Sequence, residues 1–302
     1  MSEALEMNAQ TIHSYWITAS GREGCSGSVD ARFPYWSFTK TVISICALKL
    51  VESGKLDLDA KQDGKPYTLR QLLNHTSGLP DYGQFSEYYS AVAANETPWP
   101  RDKLLDVALA NGMLFEPTQS WSYSNIGYMF VGELIETTTA KPLRNVIADM
   151  VCKPLGLNSI ELAETCEQFR HLHRKAATDY NPKWVYHGCL IGNAPDAARL
   201  LHALMTGQLL LPATMREMLD ARFLGGAIPN RPWTEYGYAL GLMSGAVKGA
   251  GKAVGHSGAG PFSVNAVYHF PDLSDPITVA SFTDGTAEGV AEFAAERLAE
   301  SQ

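Results

Sequence analysis

Downstream of Pro232 the hydrophobic pattern of the chain changes period, and that change sets the architecture. Residues 236–243, 252–256, 262–270 and 277–282 alternate or run in β-branched and aromatic residues, broken by Gly-rich or Pro-Asp turns, which reads as antiparallel strands. A last helix over residues 288–300 carries Val290, Phe293, Ala294 and Leu298 on one face. Before Pro232 the pattern is mainly helical. Residues 39–53 place Val42, Ile43, Ile45, Cys46, Leu48 and Leu50 at helical spacing with a stop at Ser53-Gly54. Further helices are predicted over 69–73, 101–110, 126–137, 143–151, 196–206 and 213–220. At the start, residues 14–19 are β-formers, 21–27 are turn-like and 29–33 read as a returning strand.

The order of short β, long α, then β-β-β-β-α predicts an α/β (α+β) fold in which the N-terminal hairpin and the C-terminal strands share one antiparallel sheet. The helices form an inserted lobe. The expected organisation is a single catalytic unit over residues 1–302, with an α/β lobe from about 10–65 and 222–302 and a mainly helical lobe from about 66–221.

Composition removes several function classes. With 24 basic against 32 acidic residues the formal charge is -8, so a nucleic-acid partner is not expected, because phosphate binding needs a clustered basic face. No apolar run reaches the length of a membrane span, and residues 1–10 lack the apolar core of a signal peptide. Cys25, Cys46, Cys152, Cys166 and Cys189 are odd in number, widely spaced and without a Cys-x-x-Cys pair, which fits a reduced, cytoplasmic setting.

Three short motifs carry chemistry. Ser37-Phe38-Thr39-Lys40 puts a hydroxyl and an amine at i and i+3 where the buried helix begins, so both share one face, and a desolvated, neutral lysine can take a serine proton. The bland alternative is a helix cap followed by a solvated lysine. Tyr123-Ser124-Asn125 precedes an apolar helix; a phenol and an amide two apart in extended chain face one cleft, or the segment is simply a capped turn. His256-Ser257-Gly258 lies on a predicted strand, where glycine permits close approach of another backbone, or marks a strand end.

In this order the three resemble the S-x-x-K, Y-x-N and K/H-x-G motifs of the serine β-lactamase and penicillin-binding-protein superfamily, in its class C and D-aminopeptidase/esterase branch. The resemblance extends to Phe33-Pro34, to Leu72-Leu73-Asn74-His75-Thr76-Ser77-Gly78-Leu79-Pro80, to Phe115-Glu116-Pro117, to Asn125-Ile126-Gly127-Tyr128 with Gly132-Glu133-Leu134-Ile135-Glu136, and to Tyr236-Gly237-Tyr238-Ala239-Leu240-Gly241. It implies a two-lobed fold with the site between the lobes, Ser37 as acylated nucleophile, Lys40 as its proton acceptor or electrostatic partner, and Tyr123 as acid or base. It further implies Asn125 as a binder of the substrate's amide carbonyl, an oxyanion hole from the backbone N–H groups of Ser37 and Ala259, and substrate contacts at His256, Ser257 and Gly258. No cofactor or metal is implied. The expected partner is a small ester, amide or short peptide, with oligomeric state left open. Alternatives are a class C β-lactamase and a catalytically weak binder of peptidoglycan fragments or a protein partner.

The sequence departs from the family pattern in ways that bear on substrate. His256 stands where many relatives have lysine, and a largely neutral imidazole attracts a carboxylate less. Tyr35-Trp36 replace small residues before the nucleophile, and Thr118 replaces a glycine after Pro117. Other features invite rival readings. Gly255-His256-Ser257-Gly258-Ala259 imitates a nucleophile elbow but leads into a strand instead of a helix. His171, His173 and Asp179 suggest a metal without the ligand spacing to support one; Cys25 and Cys189 have no partnered base. His75 is expected to pack behind the site, and Tyr186-His187-Gly188 with Trp233 are placed as candidates to line the cleft.

Overall fold

The computed structural model describes residues 11–62, 64–174 and 179–302. Its largest element is an eight-stranded antiparallel sheet in the order β2-β1-β11-β10-β9-β8-β7-β6. The strands are β1 (Ile12–Thr18), β2 (Glu23–Ser26), β6 (Arg222–Gly225), β7 (Trp233–Tyr238), β8 (Met243–Val247), β9 (Gly251–Ala259), β10 (Ser263–Phe270) and β11 (Ile277–Asp284). As expected, the N-terminal hairpin joins the C-terminal strands, through β1 paired with β11 from Ile12↔Thr283 to Thr18↔Ile277. A second, three-stranded sheet in the order β3-β5-β4 consists of β3 (Arg32–Pro34), β4 (Glu161–Ala163) and β5 (Cys189–Asn193).

Four long helices position the site: α1 (Thr39–Glu52), α2 (Asn125–Thr139), α3 (Ala194–Met205) and α4 (Glu288–Glu300). Because side chains alternate along a strand, Val267, Ala280 and Phe282 face the core shared with α1 and α3, while Ala266, Tyr268 and Val279 face α4. With both faces covered, β10 and β11 are buried almost throughout, hence their nearly continuous apolar sequences. Helix α1 is buried on nearly every side, Lys40 included.

Three sequence expectations about elements need correction. The strand expected to return over residues 29–33 does not pair with β1; β2 does, at Glu23–Ser26. Gly24, read as part of a turn, sits in that strand because the Trp16 indole fills the space a side chain would take, 2.7 Å from a Cβ built there. Residues 32–34 instead enter the small sheet. The run 236–243, read as one strand, is the end of β7, a turn, and the start of β8. Gly241, at φ +81°, makes that turn close against Ser44.

Candidate active site

Ser37 occupies a single 3-10 turn, Trp36–Phe38, that runs directly into α1. This turn is tied to the sheet. Asn265 on β10, fully buried, donates through Nδ2 to the carbonyls of Tyr35 at 3.1 Å and Pro34 at 3.3 Å. Trp36 Nε1 donates to Ser263 Oγ at 3.0 Å. Trp36 itself sits at φ +44°, a conformation that costs an L-residue about 1–2 kcal/mol. Gly258 on β9 passes so close beneath that a Cβ there would lie 2.6 Å from the Tyr35 carbonyl oxygen. The two bulky residues before Ser37 thus both pack into the structure. Tyr35 is wholly buried and donates to the Asn193 carbonyl at 2.8 Å, and Trp36 packs against Phe169, Tyr180 and Phe262.

One helical turn after Ser37, Lys40 Nζ stands 3.3 Å from Ser37 Oγ with no solvent exposure. Burial pushes its ammonium down from 10.5 to about 7, against the opposing pull of Asp81, Cys189 and Glu288. Its second partner is His187 Nε2 at 3.0 Å. Burial also holds the His187 imidazole well below its ordinary range, so the ring is neutral. From the other direction Tyr123 donates its hydroxyl to Ser37 Oγ at 2.8 Å. Burial raises that phenol well above 10, so it is a proton donor at neutral pH. Lys40 Nζ also lies over the Tyr123 ring, 4.9 Å from its centroid.

The loop after residue 73 holds Tyr123-Ser124-Asn125 in place. The His75 ring packs at a tilt against Tyr123, 4.4 Å between centroids, and His75 Nδ1 accepts from the Ser124 N–H at 3.1 Å. Ser124 donates to the Pro80 carbonyl at 2.8 Å and caps α2 by accepting from the Gly127 N–H. Asp81, which no sequence signal singled out, accepts from the Asn125 N–H at 2.9 Å and from its Nδ2 at 3.1 Å. Burial raises the Asp81 carboxyl above its ordinary value, opposed by these hydrogen bonds.

Ser37 opens into two cavities. One, of about 460 Å³, is bordered by Asn125, Asp81, Trp36, Tyr180 and His187. The other, of about 430 Å³, is bordered by Tyr123, Trp121, Tyr236, His256, Ser257 and Glu288. Ala259, at the end of β9, lines both beside Ser37. Tyr123 borders one of these adjoining spaces and Asn125, the first residue of α2, the other. Gly258 borders neither cavity among the residues that line them. His256 is buried, with Nε2 2.9 Å from the Tyr238 hydroxyl, and burial takes it down to about 3, a neutral ring. Ser257 Oγ is held by Arg231 and Glu288 at 3.0 Å each.

The rival features lie apart from this cluster or are chemically quiet. His171 is exposed beside Glu167, and His173 meets His13 edge-on. Among the described residues no group of three or more His, Cys, Asp or Glu side chains is arranged to hold a metal. Cys25 is exposed on β2, and burial pushes the Cys189 thiol up to about 12. Trp233, the first residue of β7, is buried and donates to Glu292, outside both cavities.

A serine hydroxyl between a buried amine and a phenol, at the start of a buried helix resting on an antiparallel sheet, is an arrangement that can activate the hydroxyl for attack on a carbonyl. The beta-lactamase family pattern matches residues 8–302; the chain belongs to that family. It is similar to Penicillin-binding protein 4* of Bacillus subtilis, 32% identical over 166 residues that make up 51% of this chain and 34% of that protein. It is also similar to the D-aminopeptidase of Cereibacter sphaeroides, 34% identical over 100 residues, which are 33% of this chain and 19% of that one. The matched stretches thus span about a third or less of those two relatives. Among solved structures, the D-amino acid amidase of Ochrobactrum anthropi superposes with a TM-score of 0.81 at 20% identity, covering 97% of this chain and 96% of that one; the shared property is the fold.

Proposed function

We propose that this protein is a serine hydrolase that forms an acyl-enzyme on Ser37 and cleaves a small ester or amide. The observation that carries the reading is the pair of contacts at Ser37 Oγ, 3.3 Å to a fully buried Lys40 and 2.8 Å to Tyr123. Neutral Lys40 accepts the Ser37 proton as Oγ bonds to the substrate carbonyl carbon. The resulting oxyanion lies toward the backbone N–H groups of Ser37 and Ala259, each such donor contributing about 3 to 4 kcal/mol in the transition state. Collapse breaks the ester or amide bond. The Tyr123 hydroxyl, next to Lys40, passes a proton to the departing oxygen or nitrogen and is reprotonated from the lysine ammonium. Water then attacks the acyl carbon and loses its proton to the same amine; the bond from the acyl carbon to Ser37 Oγ breaks, the acid departs, and the lysine ammonium returns the proton to Oγ. Asn125 holds the acyl side, while His256 and Ser257 border the other. This reading assigns Lys40 the base role because burial brings its amine down to about 7, so that a large fraction is neutral near pH 7, whereas the phenol is not ionised.

The lobe boundaries at about residues 65 and 222 belong to the same proposal, with Ser37 at their junction. Five free cysteines, two of them at least partly accessible, favour a reduced compartment. Among the described residues no helix is long and apolar enough to cross a membrane. A panel of p-nitrophenyl esters, D-aminoacyl anilides and a chromogenic cephalosporin tests the substrate ranking. Ester or anilide turnover should exceed cephalosporin turnover. A cephalosporin turned over faster by orders of magnitude would reverse it in favour of a β-lactamase.

A further inference from the structure

The cavity on the His256 side of Ser37 has an unusual charge balance. Arg231, in the loop before β7, is the cation nearest it, and its guanidinium is consumed inside the protein. Nη1 donates to Glu288 Oε2 at 2.8 Å, Nη2 donates to Ser257 Oγ at 3.0 Å, and Nε and Nη2 fork onto Glu292. Glu288 and Glu292 stand one turn apart at the start of α4 and so share a face. Glu292 has no side-chain exposure and also accepts from Trp233 Nε1 and Tyr268 OH. It is fully committed to Arg231. Glu288 keeps 29% of its side chain exposed and borders the cavity. Arg231 borders the cavity as well, with 17% of its side chain exposed against 29% for Glu288, so the wall holds one guanidinium against two carboxylates, a net charge of minus one.

The rest of the wall is aromatic. Trp121, Tyr123, Tyr236 and Tyr238 all border the space, with the Trp121, Tyr123 and Tyr238 ring centroids 6.0 to 6.5 Å from one another. His256 adds a neutral ring. Aromatic faces with an adjacent carboxylate attract organic cations, through ring quadrupoles and direct charge. A carboxylate entering here meets Glu288 and finds Arg231 already paired.

We propose that this cavity takes an ammonium or quaternary ammonium group on the ester or amide that Ser37 attacks, and rejects a carboxylate there. The proposal rests on Ser37 being the acylated residue, because it assigns the cavity to part of that substrate. Two features separate it from a simple apolar leaving-group pocket: the excess of one carboxylate over the single Arg231 charge, and the surrounding rings.

The test is calorimetric titration of the intact protein with choline, its neutral isostere 3,3-dimethylbutan-1-ol and the anion 3,3-dimethylbutanoate. Choline should bind about tenfold more tightly than the neutral alcohol, and the anion more weakly than either. Glu288→Gln should reduce the choline preference to about threefold or less, and Tyr236→Leu should lower choline affinity while sparing the Arg231 network. Added salt should weaken choline binding and leave the alcohol unchanged. None of the probes carries a scissile bond, so the ranking reads the cavity independently of acylation. Loss of all ester turnover counts against the hydrolase reading alone. Failure of choline to bind, an anion that binds as well as choline, or a choline preference intact in both variants would overturn the proposal.

Discussion

His187 Nε2 meets Lys40 Nζ at 3.0 Å, and both groups are buried. In the neutral tautomer that leaves Nε2 unprotonated, Nε2 accepts one amine N–H and fixes the rotation of the Lys40 head. The remaining lone pair of a neutral amine is then directed toward Ser37, 3.3 Å away. Replacing His187 by Ala should lower kcat/KM about tenfold, the worth of one buried hydrogen bond, without displacing Ser37. His187→Gln, which offers a carbonyl acceptor, should recover part of that loss. Equal losses in both variants would assign His187 a packing role.

The pH profile follows from Lys40. Only the neutral amine accepts the serine proton, so kcat/KM should rise with pH through about 7. His256 is already neutral above about 3 and adds no limb. The sign for stability is also set: the native lysine loses its proton at about 7 and the unfolded one at 10.5. Between those values the unfolded state binds more protons, and stability rises with pH. Lys40→Met should abolish activity and flatten the stability profile between pH 7 and 10, as read from denaturant midpoints at each pH.

Asp81 raises the Lys40 pKa from across the site. Asp81→Asn removes that attraction, so the midpoint of the kcat/KM profile should move to lower pH. The same change weakens the hold on Asn125, and KM should rise. A midpoint that moves up or stays fixed would contradict the electrostatic part of this account.

Thr118 adopts φ +75°, a left-handed conformation that a β-branched residue rarely takes. Its N–H donates to the Thr76 carbonyl at 2.9 Å, joining the loop of His75 to the segment before Tyr123. The sequence departure from glycine at this position therefore keeps the glycine backbone and carries strain. Thr118→Gly should stabilise the protein by about 1 kcal/mol, visible as a higher denaturant midpoint with unchanged slope.

The parts of this site that sequence made readable are those encoded locally. Ser37 and Lys40 are one helical turn apart, Tyr123 and Asn125 two residues apart, and the change of period after Pro232 announced the sheet. What stayed hidden depends on distant partners. His187 was legible as a cleft-lining candidate, but its contact with Lys40, 147 positions away, was not, and Asp81 gains its meaning only from Asn125, 44 away. Arg231 reads as an ordinary surface arginine until α4 brings Glu288 and Glu292 to it. The strands β3, β4 and β5 have three to five residues each, too few for a period to show. The turn at Gly241 was masked because apolar residues continue through it from β7 into β8.

The central claim is that Ser37 Oγ is acylated. Incubation with a fluorophosphonate probe, followed by intact-mass and peptide mass spectrometry, tests it most directly. The account predicts a single stoichiometric adduct on Ser37, absent in Ser37→Ala and slowed by orders of magnitude in Lys40→Ala, since these groups act as a unit. An adduct on Ser257 or another residue, or full esterase activity in Ser37→Ala, would contradict it.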